Sequence, residues 1–274
     1  MSSTPVLILK GITKQFNKGT ANQNTVLNQL SLEVEKGDFI TIIGGNGAGK
    51  STLLNSIAGN FMIDQGTIML GNRDLTTLKE EKRAGFIGRV FQDPVMGTAP
   101  RMTVGENLAI AYRRGKKRSL RKGTTDKERE YFKNSLLELG LGLENRLDSE
   151  MGLLSGGQRQ SIALLMATMN KPELLLLDEH TAALDPKTAK IVLEITQKRI
   201  EQEELTALMI THNMNDALKY GNRLIMLDAG QVIVDISGEE KKNLTVADVL
   251  VLFQTATDEE NGAGQLPDEL LLSR

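Results

Sequence analysis

The chain alternates between short apolar runs and longer segments in which apolar residues recur at helical spacing. Continuous apolar runs of this length are typical of strands buried on both faces. They predict strands at residues 38–43, 66–71, 87–92, 173–178 and 206–211. Helical spacing predicts helices at residues 51–58, 103–112, 126–139, 155–170 and 246–253, with another that begins at Asp185-Pro186.

Further short strands lie beside turn signals, which favours antiparallel pairing. Residues 6–9 and 30–34 precede the strand at 38–43. Residues 224–227 and 232–234 are separated by Asp228-Ala229-Gly230, a hairpin-type turn. The alternation of strands and helices indicates an α/β fold.

Length and composition narrow the class of protein. The chain has 274 residues and a formal net charge of -2, so it can form one large α/β domain, or a core with a subdomain, and has no overall basic field for nucleic acid. Cysteine is missing, which excludes a disulfide framework, a thiol nucleophile and a thiolate metal site. The sequence shows no secretory signal and no apolar window near the roughly 18 residues of a membrane span. Action at a membrane would therefore require another chain.

A glycine-rich stretch lies between the predicted strand at 38–43 and the predicted helix at 51–58. It fits the phosphate-binding P-loop pattern G-x-x-x-x-G-K-[ST] and reads Gly44-Gly45-Asn46-Gly47-Ala48-Gly49-Lys50-Ser51-Thr52. Glycines let backbone N–H groups turn inward around an anion, and the helix N-terminus adds its positive end. Lys50 would reach the β- and γ-phosphates of a nucleotide, and the Ser51 hydroxyl would bind Mg²⁺.

Two adjacent carboxylates follow the leucines of the predicted strand at 173–178. A strand of this kind that ends in Asp178 is typical of the Walker B motif, whose carboxylate holds Mg²⁺ directly or through water. Glu179 comes next, where a carboxylate can orient or deprotonate the attacking water. An isolated Asp-Glu pair is as often a polar strand terminus, and the P-loop upstream is what favours the functional interpretation.

Between these two motifs lies Leu154-Ser155-Gly156-Gly157-Gln158. Here the chain resembles the nucleotide-binding subunit of ATP-binding cassette (ABC) transporters, in which LSGGQ is the signature at this place in the order. Ser155 would cap a helix, and the two glycines would expose N–H groups at its start as a second anion site. The resemblance covers about residues 5–240 and implies ATP and Mg²⁺ as cofactors and ATP hydrolysis as the activity.

The resemblance also implies roles for single residues. Gln92 matches the Q-loop glutamine that senses Mg²⁺ and water, Asp185 matches the D-loop at the dimer interface, and His212 matches the switch histidine at the γ-phosphate. Phe16 matches the aromatic residue that stacks on adenine, and a core phenylalanine is the alternative. The implied catalytic residues are Glu179, His212, Gln92 and Lys50. The implied metal ligands are Ser51, Gln92 and Asp178. The implied nucleotide-binding residues are Phe16, Gly44, Asn46, Gly47, Ala48, Gly49, Lys50, Ser51, Thr52, Ser155, Gly156, Gly157, Gln158 and Asp185.

The sequence departs from the family's pattern at several places. His180 stands where proline is usual, and we interpret it as a substitution at a structural position rather than as a second base. Gly45 stands where proline is common, which should not impair an anion nest. A basic run lies outside the shared pattern and consists of Arg113, Arg114, Lys116, Lys117, Arg118, Arg121 and Lys122. We interpret it as a solvated loop, with contact to membrane phosphates or an acidic partner as the alternative.

These observations predict an α/β fold with a P-loop (RecA-like) core, an antiparallel β region and an inserted α-helical subdomain. Residues 1–92 and 171–245 would form the core, residues 93–170 the helical subdomain with the signature, and residues 246–274 a C-terminal helix with a mobile acidic tail from residue 257.

The resemblance implies a machine with several subunits. Two copies would pack head to tail, with ATP between the P-loop of one and the Ser155 motif of the other. Transmembrane permease subunits would dock around residues 93–107, at the cytoplasmic face of the membrane, and a solute-binding protein would deliver an imported small solute such as an amino acid. The alternatives are an ABC ATPase of lipid or lipoprotein export and a soluble cassette for Fe–S cluster assembly. Nucleic acid is not an expected partner.

Overall fold

The computed structural model describes residues 5–115 and 124–261, with side chains described as far as residue 256. In chain order the strands are β1 (Leu7–Phe16), β2 (Asn24–Val34), β3 (Phe39–Gly44), β4 (Gln65–Leu70), β5 (Arg73–Asp74), β6 (Ile87–Val90), β7 (Leu174–Asp178), β8 (Ala207–Ile210), β9 (Arg223–Asp228) and β10 (Gln231–Ser237). The helices are α1 (Lys50–Ala58), α2 (Glu80–Arg83), α3 (Val104–Tyr112), α4 (Asp126–Leu137), α5 (Gly156–Thr168), α6 (Pro186–Glu203), α7 (Met214–Lys219), α8 (Gly238–Asn243) and α9 (Val246–Asn261).

The predicted α/β alternation is confirmed, and the differences have local causes. The first two strands are longer than the apolar runs at 6–9 and 30–34, because bulges let β1 and β2 pair onward through half-exposed polar positions. The short helices α2, α7 and α8 have too few turns to show a helical period. Helix α9 continues to residue 261, beyond the helix predicted at 246–253, and the rest of the tail lies outside the described residues; its mobility stays a prediction.

The chain divides into two compact units. The first consists of Met1–Arg83 and Leu205–Arg274, and the second of Ala84–Glu204. The domain boundaries predicted at 93 and 170 fall inside the second unit, which includes β6, β7 and α6 beside the helices. The division predicted from the sequence stays a prediction.

The first unit contains an antiparallel sheet in the order β2-β1-β4-β5 and a second group in the order β10-β9-β3-β8. Strand β3 is buried along its whole length and runs parallel to both β8 and β9. Ile42 lies opposite Ile210, so Gly44 at the end of β3 and His212 after β8 lie at the same edge of the sheet. That edge therefore carries the P-loop.

The second unit contains the parallel pair β6 and β7 and a cluster of helices. Val90 lies opposite Leu177, so the residues that follow the two strands also share an edge. Helices α3, α4 and α5 pack on one another through buried residues that include Leu108, Phe132 and Leu165. None of the described helices is long and apolar enough to span a membrane.

Candidate nucleotide site

The P-loop has the strand–loop–helix context that its sequence predicts. Strand β3 ends at Gly44, and helix α1 begins at Lys50 with Gly49 as a left-handed N-cap. A side chain on Gly44 would lie 2.2 Å from the carbonyl oxygen of Leu227, so only glycine fits there. Gly230, in the turn between β9 and β10, donates its N–H to the carbonyl of Ala48 at 3.2 Å. The turn between β9 and β10 thus supports the P-loop through a backbone hydrogen bond, a contact that the sequence did not predict.

The Lys50 side chain folds back into the loop. It is 6% exposed, and its Nζ donates to the carbonyl oxygens of Gly44 at 2.7 Å and Gly45 at 3.0 Å. A buried ammonium is costly unless it is hydrogen-bonded, and these carbonyls meet that need. The charge lies beside the start of α1, where the helix dipole is also positive. Both features favour an anion such as phosphate at this place.

His212 lies at the same edge as the P-loop. The N–H of Thr211 donates to the carbonyl of Ile42 at 3.2 Å, which holds the end of β8 against β3. Asn213 then caps helix α7 by accepting from the N–H of Asp216 at 3.1 Å. His212 is half-buried between these two anchors, so the structure brings it and the P-loop together.

Phe16 ends strand β1 and is half-buried, which does not support the alternative of a core phenylalanine. Its ring meets the Phe61 ring edge to face, with centroids 5.3 Å apart, and the Lys14 ammonium lies 5.3 Å from its centroid. Asp64 pairs with Lys14 at 3.8 Å and with Lys18 at 2.9 Å. Contacts with Phe61 and Lys14 therefore fix the Phe16 ring, while part of the ring stays accessible to solvent, as stacking on a base requires.

We expect Phe16→Ala to weaken ATP binding by roughly 1–3 kcal/mol, the scale of aromatic–base stacking. Phe16→Tyr should be nearly neutral, because it keeps the ring. Equilibrium titration with ATP measures both variants, and thermal unfolding serves as the control. If both substitutions weakened binding equally and lowered the melting temperature together, Phe16 would be a packing residue instead.

In the second unit, three predicted residues follow β6 and β7 at the edge where the two strands end. Val90 lies opposite Leu177, so Gln92, two residues after Val90, and Asp178 and Glu179, which come after Leu177, are all carried to that edge. Glu179 has φ of 48°, a left-handed conformation that is rare for a residue with a side chain. Strained backbone conformations of this kind persist only where the surrounding structure enforces them, and they are concentrated at functional sites.

Asp178 has a partner that the sequence did not predict. Its Oδ2 lies 3.2 Å from Nη2 of Arg89, and the two side chains are 14% and 11% exposed. The guanidinium carbon of Arg89 lies 4.4 Å from the centroid of the Phe91 ring.

The predicted metal ligands have the chemistry that Mg²⁺ prefers. A hydroxyl from Ser51, an amide oxygen from Gln92 and a carboxylate from Asp178 are all hard oxygen donors. Within the described ranges no group of three His, Cys, Asp or Glu side chains could hold a metal by itself. Mg²⁺ is usually held by only one or two protein side chains, and phosphate oxygens and water complete its coordination. The residues therefore fit a nucleotide-bound Mg²⁺.

The signature opens helix α5 as predicted. The Oγ of Ser155 accepts from the N–H of Gln158 at 3.3 Å, and Oε1 of Gln158 accepts from the N–H of Ser155 at 3.2 Å. This reciprocal capping box fixes the start of the helix. Ser155 and Gly156 are exposed. The signature thus presents the start of α5 to solvent.

The D-loop lies beside the signature. A side chain on Gly156 would lie 3.1 Å from Cδ2 of Leu184. Asp185 caps α6 by accepting from the N–H of Thr188 at 3.1 Å, and the hydrogen bonds from Thr188 lower the pKa of the Asp185 carboxyl. The structure therefore brings the Ser155 motif and Asp185 together.

His180 is buried at 2% exposure, directly after Glu179. Its Nε2 lies 3.0 Å from Oγ1 of Thr196, and that hydroxyl donates to the carbonyl of Val192 at 2.8 Å. Because the hydroxyl proton is used, Nε2 must be the protonated nitrogen. Burial lowers the pKa of His180 to about 4, so the imidazole is neutral at physiological pH. A buried, neutral and hydrogen-bonded ring fits the structural role.

The first two residues of the basic run lie in the helical cluster. Arg113 pairs with Glu128 at 3.0 Å, and Nη2 of Arg114 donates to the carbonyl of Met166 at 3.4 Å. Arg114 is half-buried and bonded to the carbonyl of a helix residue, so the prediction of a solvated loop is wrong for this residue; the same burial lowers the pKa of its guanidinium. Lys116, Lys117, Arg118, Arg121 and Lys122 lie outside the described residues.

Comparison with known proteins places these motifs in one family. Residues 27–182 match the ABC transporter family. The chain is 46% identical to the tyrosine transport ATP-binding protein of Clostridioides difficile strain R20291, over 92% of this chain and all of that protein. It is 34% identical to the spermidine/putrescine import ATP-binding protein PotA of Haemophilus influenzae, over 90% of this chain and 63% of that longer protein.

Solved structures agree with this assignment. The ATP-binding cassette MJ0796, in a dimeric post-hydrolysis state with ADP and Pi, aligns at a TM-score of 0.72 and 30% identity, over 84% of this chain and 98% of that one. The ADP conformation of the cassette MJ1267 aligns at a TM-score of 0.74 and 29% identity, over 92% and 99% of the two chains. The P-loop, the Walker B strand and the signature thus occur in a chain that matches ABC cassettes in both sequence and fold. The chain belongs to the ABC transporter family and is one of its ATP-binding ATPases.

Proposed function

We propose that the protein works as a head-to-tail homodimer that hydrolyses Mg²⁺-ATP to drive import of an amino-acid-type solute through separate permease subunits. The observation that carries the ATPase part is the Lys50 ammonium, held inside the P-loop by the carbonyls of Gly44 and Gly45. A fixed positive charge at a helix N-terminus binds the β- and γ-phosphates of a nucleotide.

The chain's own residues supply the remaining chemistry. Glu179 accepts a proton from a water molecule, whose oxygen attacks the γ-phosphorus while the bond to the bridging β–γ oxygen breaks. His212 and Lys50 donate to γ-phosphate oxygens, where negative charge is concentrated. Mg²⁺, when bound, neutralises phosphate charge, with Ser51, Gln92 and Asp178 as its proposed ligands.

Two features support the homodimer. Ser155 and Gly156 are exposed at the start of α5, where the positive end of the helix dipole favours an anion. The similar cassette MJ0796 is described as dimeric with ADP and Pi. We infer that the Ser155 motif of one copy acts on the ATP held by the P-loop of the other. The protein would then be attached to the cytoplasmic face of the membrane through its permease.

The proposed solute class follows from the relative with the higher identity of the two reported. That relative is named for tyrosine transport at 46% identity, whereas the polyamine import relative is 34% identical. Both relatives are transport proteins by name, and the second is named for import, which favours import over lipid export or Fe–S assembly. A solute-binding protein is proposed as the further partner of such a system.

Uptake by the reconstituted complex tests this proposal. The chain with its co-purified permease, in vesicles that enclose ATP, should accumulate labelled tyrosine in the presence of its binding protein, and should not accumulate spermidine. Vesicles with the Lys50→Ala chain are the control and should accumulate neither. Uptake of spermidine instead of tyrosine would contradict the solute class. A chain that purifies without any polytopic membrane protein would contradict the transport role.

A further inference from the structure

Gln160 is a buried amide whose hydrogen bonding is only half complete. It lies on α5, five residues after Ser155, and is 1% exposed. Its Nε2 donates to the carbonyl oxygen of Phe91 at 3.0 Å, while its buried Oε1 has no hydrogen-bond partner among the described residues. An unsatisfied buried polar atom destabilises the fold, and an apolar side chain of the same shape would not bring such an atom into the core. A group retained at such a cost calls for a reason other than stability.

The contact joins two elements that pack very closely. A side chain on Gly88 in β6 would lie 2.6 Å from the carbonyl oxygen of Ala167 in α5. The helix of the signature is therefore pressed against the strand that leads to Gln92. Because β6 ends at Val90, the Gln160 hydrogen bond is what ties the next residue, Phe91, to the helix.

The side chain of Phe91 is also held in place, by a contact between its ring and Arg89. The Arg89 guanidinium lies 4.4 Å from the ring centroid, and the same guanidinium pairs with Asp178 at 3.2 Å. Phe91 immediately precedes Gln92. One residue is thus connected to the signature helix through its carbonyl and to the Walker B carboxylate through its ring.

We propose that Gln160 is a positioning residue, which holds the chain at Phe91 so that Gln92 and Asp178 keep the relative placement that Mg²⁺ binding requires. This inference rests on the proposed Mg²⁺-ATP function. A residue that orients ligands in this way acts through them, and losing it changes metal binding more than folding.

Gln160→Met tests the proposal, because methionine has nearly the same shape and cannot donate to the Phe91 carbonyl. In the full chain, ATP affinity measured in EDTA should equal that of the wild type. The Mg²⁺ concentration that half-saturates the ATP complex should rise by roughly 10–100-fold, the range for residues that orient metal ligands. The kcat should fall by roughly 10–10², as expected for a misplaced group. The melting temperature should change little, because the substitution removes the unsatisfied Oε1 but also leaves the Phe91 carbonyl without its donor.

Two further variants keep the test decisive. Gln160→Asn keeps the amide but withdraws it by one methylene, so it should show the same loss of Mg²⁺ affinity. Ser161→Ala is the matched control, since its buried hydroxyl donates to the Gly157 carbonyl of its own helix. Wild-type Mg²⁺ dependence in either Gln160 variant, or an equal loss in Ser161→Ala, would overturn the proposal. Failure of the wild type to bind ATP under any condition would instead overturn the proposed function.

Discussion

Glu179→Gln is expected to lower the rate of ATP hydrolysis by roughly 10²–10⁴, the range for losing a general base. Glutamine keeps the shape and the hydrogen-bonding reach of the side chain but cannot accept the proton from water. The strained φ of 48° at this residue and its place at the carboxyl edge of β7 are what the proposal depends on. Steady-state phosphate release under saturating Mg²⁺-ATP measures the effect.

ATP binding should survive this substitution, and the closed dimer should become more stable. Removing one negative charge near the γ-phosphate reduces electrostatic repulsion. In size-exclusion chromatography with Mg²⁺-ATP, Glu179→Gln should therefore elute as a dimer to a greater extent than the wild type. Glu173→Gln is the matched control, because it removes the same charge from an exposed position before β7 and should leave turnover unchanged. Full turnover in Glu179→Gln would remove it from the mechanism.

Lys50→Ala is expected to abolish most ATP binding, because it removes the point charge beside the phosphates. Isothermal titration against ATP measures the loss. Lys50 also donates to two loop carbonyls, so Lys50→Met, which keeps most of the buried side-chain volume, separates loss of charge from loss of packing. The exposed Lys36→Ala is a control for net charge. Near-normal affinity in Lys50→Ala and Lys50→Met would count against the P-loop assignment.

Lys50→Ala, combined with a second variant, also tests whether the ATP site is shared between two copies of the chain. Ser155→Arg places bulk and charge at the start of α5 and should be inactive alone, as should Lys50→Ala. Mixed together, the two chains can form one intact composite site, so partial hydrolysis should return. Ser155 also caps α5, so Ser155→Ala is needed to measure the loss of the cap, about 1 kcal/mol. A monomer that hydrolyses ATP at the full rate at any dilution would contradict the homodimer.

Much of the fold could be predicted because its signals are local. The leucines of β7 and the apolar run of β3 have the continuous pattern of strands buried on both faces. The caps at Ser155 and Asp185 depend on side-chain bonds to N–H groups three residues ahead, so sequence spacing alone indicates them. Each of the three motifs is likewise a short local stretch, and the order of P-loop, signature and Walker B strand along the chain indicated the family.

The sequence by itself therefore determined most of the longer elements, the motifs and the chemistry expected of each motif. Only the tertiary structure decided how residues far apart in the chain support them. Arg89 pairs with Asp178 across parallel strands, and Gln160 reaches Phe91 from a packed helix. Gly230 supports the P-loop through a hydrogen bond to Ala48. Such contacts depend on register and on the close approach of packed elements, and a period of two or 3.6 residues carries no information about which side chains then meet.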